Sequence, residues 1–202
     1  EFAKWVGEID DARRIPEFVT RAFAVATSGR PGPVVLTLPE DMLLDEVEAP
    51  EAKPYTPVEA HPGPSQIAAL GEMLKTAKRP MIVLGGTRWS ETSVAGIQAF
   101  AEKFKLPVGC SFRRQMLFNH LHPSYAGDVG IGINPKLAAR VKASDLIIAI
   151  GPRLGEMTTS GYTLLSVPRP AQKLVHVHAG AEELGRVYQG DLLINSGMPQ
   201  IA

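Results

Sequence analysis

Two short runs, PMIVL at 80–84 and LIIAI at 146–150, are apolar without alternation. A strand built from such a run must bury both of its faces, which happens in parallel sheets covered by helices on each side. The segments around them have helical spacing. Residues 65–77 suit a helix capped by Ser65, 91–105 place Val94, Ile97, Ala101 and Phe104 on one face, and 135–142 carry proline in the first turn. Further strands are expected at 107–111, 173–178 (KLVHVH) and 191–195 (DLLIN). Strands and helices alternating in this way predict an α/β fold: a doubly wound, mostly parallel Rossmann-like sheet with helices on both faces. Ligands are then expected beyond the carboxyl ends of the strands.

Upstream, Ile15, Phe18, Val19, Ala22, Phe23 and Ala26 recur at helical spacing over 11–28, with Asp10 or Asp11 placed to cap. Gly29 ends that helix, Pro31 and Pro33 forbid its continuation, and 34–38 form a buried-strand run. From 41 to 64 the chain has five prolines, several carboxylates and no apolar period, the texture of a linker. The expected division is a helix-strand unit at 1–45, a linker at 46–64 and a body at 65–202, of which only the body is large enough to fold alone.

Lys plus Arg equals Asp plus Glu at 21 each, so no net field draws the chain to nucleic acid or to an anionic membrane. No apolar run approaches the roughly 20 residues of a membrane helix. The opening EFAKWVGEID lacks Met, a basic region and an apolar region, and reads as a cut end rather than a leader. A lone cysteine, Cys110, excludes an internal disulfide and fits a reducing, cytoplasmic setting.

Two strand-end loops carry the candidate chemistry. Gly85, Gly86 and Thr87 follow the 80–84 strand and precede a helix, where a backbone can approach a phosphate and the helix offers unpaired N–H groups. The full G-x-G-x-x-G pattern is absent, and the same glycines suit a tight turn. Gly151, Pro152, Arg153, Leu154 and Gly155 follow the 145–150 strand, with Thr158 and Thr159 just beyond. Arg153 offers a forked donor to a phosphate and Thr159 a hydroxyl, and Arg153 equally suits a surface salt bridge. His120 with His122, and His176 with His178, have ligand-like spacing but no third Cys or His nearby, so they read as turn and strand histidines and no metal site is assigned. Ser160 lacks a nucleophile elbow, and Cys110 reads as a small buried hydrophobe. No self-sufficient catalytic constellation appears.

Longer stretches carry a resemblance. GRPGPVVLTLPEDML at 29–43 resembles the last strand of the pyrimidine-binding domain in thiamine diphosphate-dependent enzymes of the acetolactate synthase, benzoylformate decarboxylase and oxalyl-CoA decarboxylase group. RPMIVLGG resembles the first strand of that family's central domain, HPSYAGDVGIG its Gly-rich middle loop, and ASDLIIAIGPRL its third strand with the Gly-x-Arg turn. Their order covers nearly the whole chain.

The resemblance implies that 1–45 is the tail of the pyrimidine-binding domain and 65–202 the central domain. It further implies that the catalytic glutamate and the residues holding Mg and thiamine diphosphate lie in other domains, so no catalytic residue is assigned here and the isolated chain is expected to be inactive. The parent would decarboxylate or carboligate 2-oxo acids as a homodimer or homotetramer, its partners being its own remaining domains and that substrate. In such families the central domain binds FAD, binds ADP or is empty. Where the family often has an acidic pair, as in HIDIDP, this chain reads HVHAGA, with His178 and Gly180 at the acidic positions. The glycine loops and Arg153 remain, so the expectation includes both a nucleotide-binding module and a scaffold.

Overall fold

The computed structural model describes residues 2–202, which fall into two units divided between Glu59 and Ala60. In the first unit, β1 (Trp5–Glu8) and β2 (Val34–Thr37) pair in parallel, and α1 (Ile15–Thr27) connects them. Phe18 of α1 packs on Trp5 with ring centroids 5.8 Å apart, and Ile9, Ala12 and Met42 complete a small core. Asp11 does cap, but it caps a single 3-10 turn at Ala12–Arg14 through the Arg13 amide, and α1 begins only after it.

The second unit contains α2 (Pro64–Thr76), β3 (Pro80–Leu84), α3 (Glu91–Phe104), β4 (Val108–Ser111), β5 (Tyr125–Val129), α4 (Pro135–Ala143), β6 (Leu146–Ile150), β7 (Lys173–His178), β8 (Leu192–Asn195) and α5 (Met198–Ile201). The six strands form one parallel sheet in the order β5-β4-β3-β6-β7-β8. Chain direction across the sheet reverses between β3 and β6, the topological switch point of a doubly wound fold. Alternate residues serve opposite faces. Ile82, Leu84, Ile148, Ile150, Val175 and Val177 face a core shared with Ile97 and Ala101 of α3. Met81, Val83, Ile147, Ala149 and Leu174 face a second core with Leu137 and Val141 of α4. The unbroken apolar runs are thus explained by helices on both sides.

Several features differ from the sequence expectation, beginning with β2: its apolar run predicts a buried strand, yet half-buried and exposed residues alternate along it because, among the described residues, it pairs only with β1. Helix α2 starts at Pro64 with Gly63 as its cap, because the Gln66 side chain reaches back 2.9 Å to accept the Gly63 N–H, and Ser65 is already helical. The stretch around YAGDV is an edge strand, β5, rather than a loop. Strand β1 and the short α5 are additions to the expected elements. Among the described residues, no helix is long and apolar enough to cross a membrane.

Candidate functional site

At the switch point the chain turns away from β3 and β6 side by side. The Gly85 N–H donates to the Ile150 carbonyl at 3.0 Å, and the Gly151 N–H donates to the Val177 carbonyl at 2.8 Å, so both loops are fixed by ladder bonds carried past the strand ends. Gly86 and Gly151 have φ of +76° and +83°. A Cβ on Gly86 would stand 2.5 Å from the Gly151 carbonyl oxygen, and one on Gly151 would overlap the Gly85 carbonyl oxygen and lie 2.6 Å from Met198 Sδ. The predicted glycines Gly85, Gly86 and Gly151 are therefore brought together, with their backbones packed on one another.

The groups around them are largely engaged. The Trp89 indole N–H donates to the Gly85 carbonyl at 2.7 Å. At the start of α3, the Ser90 and Ser93 hydroxyls cap each other's amides at 3.1 and 2.8 Å, and Glu91 sits in the first turn, where its negative charge opposes an approaching anion. Thr87 stands exposed beside this turn.

The β6 loop is tied more deeply. Arg153 Nε lies 3.3 Å from a Glu183 carboxylate oxygen, and Arg186 Nη1 lies 3.0 Å from the other oxygen. Glu183 is buried while both guanidinium groups are about half exposed, so one interior carboxylate anchors two cationic arms at the rim. Thr159 is 1% exposed; its hydroxyl donates to the Gly155 carbonyl at 3.0 Å and accepts from the Tyr162 amide at 3.2 Å. It shapes the turn and does not face solvent. Between these parts lies a cavity of about 80 Å³ lined by Arg153, Tyr162, His176, Glu183, Arg186 and Tyr188 among others. Of these, sequence reasoning marks only Arg153 as a binding residue. The Glu-x-x-Arg spacing of 183 and 186 was the available signal, but it is also the spacing of an ordinary surface pair.

His176 and His178 share one face of β7 and are both buried. Burial pushes the His176 imidazole down to about 4, against a weaker opposing pull from its 3.0 Å hydrogen bond to the Pro152 carbonyl. The neutral ring donates from Nε2 and so fastens β7 to the Arg153 loop. His178 Nδ1 accepts the Gly180 amide at 3.0 Å and closes the turn after β7. His120 stacks on Tyr125 with centroids 4.6 Å apart, and His122 pairs with Glu102 at 2.9 Å. Cys110 is fully buried in β4, and desolvation pushes its thiol up to about 12, so it is no nucleophile at neutral pH. Among the described residues no group of three His, Cys, Asp or Glu could hold a metal ion.

Comparison with known proteins fits this architecture. The family described as thiamine pyrophosphate enzyme, central domain, matches residues 67–201. The chain is similar to sulfoacetaldehyde acetyltransferase of Alcaligenes xylosoxydans xylosoxydans, 30% identical over 202 residues that make up 100% of this chain and 33% of the relative. It is also similar to glyoxylate carboligase of Escherichia coli O157:H7, 32% identical over 198 residues, 96% of this chain and 33% of that protein. In fold it matches benzoylformate decarboxylase from Polynucleobacter necessarius with a TM-score of 0.74 at 22% identity, over 98% of this chain and 37% of the other. The chain spans about a third of the length of the relatives it matches. It belongs to the thiamine pyrophosphate enzyme family, as a central domain with a preceding segment.

Proposed function

We propose that this chain is the central portion of a thiamine diphosphate-dependent enzyme that decarboxylates a 2-oxo acid and transfers or protonates the remaining fragment, and that its own part is to scaffold and position the domains around it. The observation that carries this reading is the pairing of the family match over 67–201 with a switch point whose polar groups are bound to one another. Thiamine diphosphate, when bound, supplies the chemistry that cleaves the bond beside a carbonyl. The described residues offer no carboxylate cluster for magnesium, so magnesium and the diphosphate are assigned to residues outside this chain. The partners are then the remaining domains and a second protomer, and the compartment is the cytoplasm, in keeping with the reduced, buried Cys110. The test is turnover. Full-length protein supplied with thiamine diphosphate and magnesium releases carbon dioxide from pyruvate or glyoxylate, whereas this chain alone releases none. Full-length protein that neither binds the cofactor nor consumes any 2-oxo acid overturns the reading.

A second reading, an adenine nucleotide such as FAD or ADP at the switch point, is favoured by the close backbone approach at Gly85, Gly86 and Gly151 beside Arg153. The fit is partial. His178 and Gly180 offer no carboxylate to ribose hydroxyls, and Arg153 already holds Glu183. Calorimetric titration of the chain with FAD and with ADP decides it: saturable heat with either supports the nucleotide site, and silence with both leaves the scaffold role.

A further inference from the structure

The opposite end of the sheet holds a site that neither the family nor the proposed reaction accounts for. The segment entering β7 and the segment entering β8 run side by side and enclose a cleft of about 370 Å³. That volume is at the low end of small-molecule sites. Arg169, Gln172, Lys173, Gln189 and Asp191 line it.

Its frame is rigid. The Gln189 N–H donates to the Pro168 carbonyl at 2.7 Å, and Arg169 Nε donates to Gln189 Oε1 at 2.9 Å, which bridges the two walls. Asp191 is doubly fixed to Leu174 of β7: its amide donates to the Leu174 carbonyl and one carboxylate oxygen accepts the Leu174 amide, both at 2.8 Å. Gly190 leaves no room for a side chain, since a Cβ there would meet Leu193 at 2.8 Å.

The polar groups in this frame are only partly used. Arg169 commits one nitrogen to Gln189, and among the described residues no protein partner engages the Lys173 ammonium. Gln172 is buried, and its amide nitrogen donates to the Val141 and Lys142 carbonyls at 3.4 and 2.8 Å. Two carbonyl partners fix which end of the amide is nitrogen, so Oε1 is the other end, and it is buried with no hydrogen-bond partner. The cleft therefore sets two cationic donors and the Gln189 amide beside one accessible acceptor, the Asp191 oxygen that does not bond Leu174, the Gln172 oxygen being too buried to reach.

We propose that this cleft binds a small organic carboxylate that also carries a hydroxyl or amino group. The carboxylate pairs with Arg169 and Lys173, and the donor group meets the Asp191 oxygen left free by Leu174. A plain anion would leave the Asp191 acceptor unmet, and a plain cation would face two positive side chains.

The test is calorimetric titration of this chain, at low ionic strength, with L-serine, lactate, succinate and inorganic phosphate. L-Serine and lactate saturate the chain. Lys173→Gln weakens both about tenfold, the effect of removing one charge-assisted hydrogen bond. Asp191→Asn keeps the oxygen that accepts from Leu174 and weakens L-serine more than lactate. Succinate or phosphate binding as tightly as L-serine would reduce the cleft to an unselective cationic patch and overturn the proposal. So would the absence of heat from all four up to about 20 mM, a free energy near −2 kcal/mol, and so would full affinity in Lys173→Gln.

Discussion

Replacing Gly151 by alanine isolates how tightly the switch point is packed. Two costs add at this position. At φ +83° an L residue sits in the left-handed region, which costs about 1 kcal/mol. The new methyl also overlaps the Gly85 carbonyl oxygen and lies 2.6 Å from Met198 Sδ, and since the first of these is backbone, relief requires the β3 and β6 loops to part. Overpacking of that kind costs about 1–3 kcal/mol. Alanine's smaller unfolded-state entropy returns about 0.5 kcal/mol, leaving a net loss of about 1.5–3.5 kcal/mol. Gly132 is the matched control: its φ is +70°, but a Cβ there meets nothing within 4 Å, so Gly132→Ala should lose under about 1 kcal/mol. The assay is urea unfolding followed by Trp89 fluorescence in a Trp5→Phe background, which reports the second unit through the indole bonded to Gly85. Equal losses for the two variants would refute the claim that backbone contact, rather than φ alone, fixes this turn.

Two further outcomes follow from helix packing and from burial. Gly71 lies inside α2, and a Cβ added there would meet no atom within 4 Å, so Gly71→Ala should stabilise the second unit by about 1 kcal/mol, read as a higher urea midpoint with an unchanged slope. His176 has a folded pKa of about 4 against an ordinary 6.5, so the unfolded chain takes up the proton first: stability is full above about pH 6.5 and declines as pH falls toward 4. At about 1.4 kcal/mol per pH unit the loss totals about 3 kcal/mol. His176→Gln, which keeps a donor for the Pro152 carbonyl, should remove that acid-side slope, and an unchanged slope would assign it to other groups.

The sheet was legible because burial on both faces leaves a plain mark: β3 and β6 are apolar at every position, and their alternation with helical segments matches a parallel sheet covered on both sides. The strands that escaped reading lack that mark. β5 is an edge strand whose sequence, YAGDV, contains Gly127 at φ +116° and an exposed Asp128, so its pairing with β4 comes from tertiary contact rather than from local propensity. β1 reads WVGE, and Gly7 is needed because the Trp5 ring folds over it, with an ideal Cβ 2.6 Å from the ring. Propensity scores that glycine against a strand, while packing requires it.

The candidate site was half legible for a different reason. Residue type and position after a strand found Gly85, Gly86, Gly151 and Arg153, but not whether their hydrogen-bonding groups were still available. Arg153 is engaged because Glu183, remote from it in sequence, is buried beneath it, and Thr159 is engaged by its own turn. At the other end of the sheet the order is reversed: Arg169, Lys173 and Asp191 form no motif, yet the fold leaves Lys173 unpaired among the described residues and commits only one Asp191 oxygen, to Leu174. A strand-end loop becomes a ligand site only to the extent that the chain has not already satisfied its donors and acceptors. That makes the satisfaction of each polar group, more than its identity, the property separating the carboxyl-end loops from the cleft at the amino end.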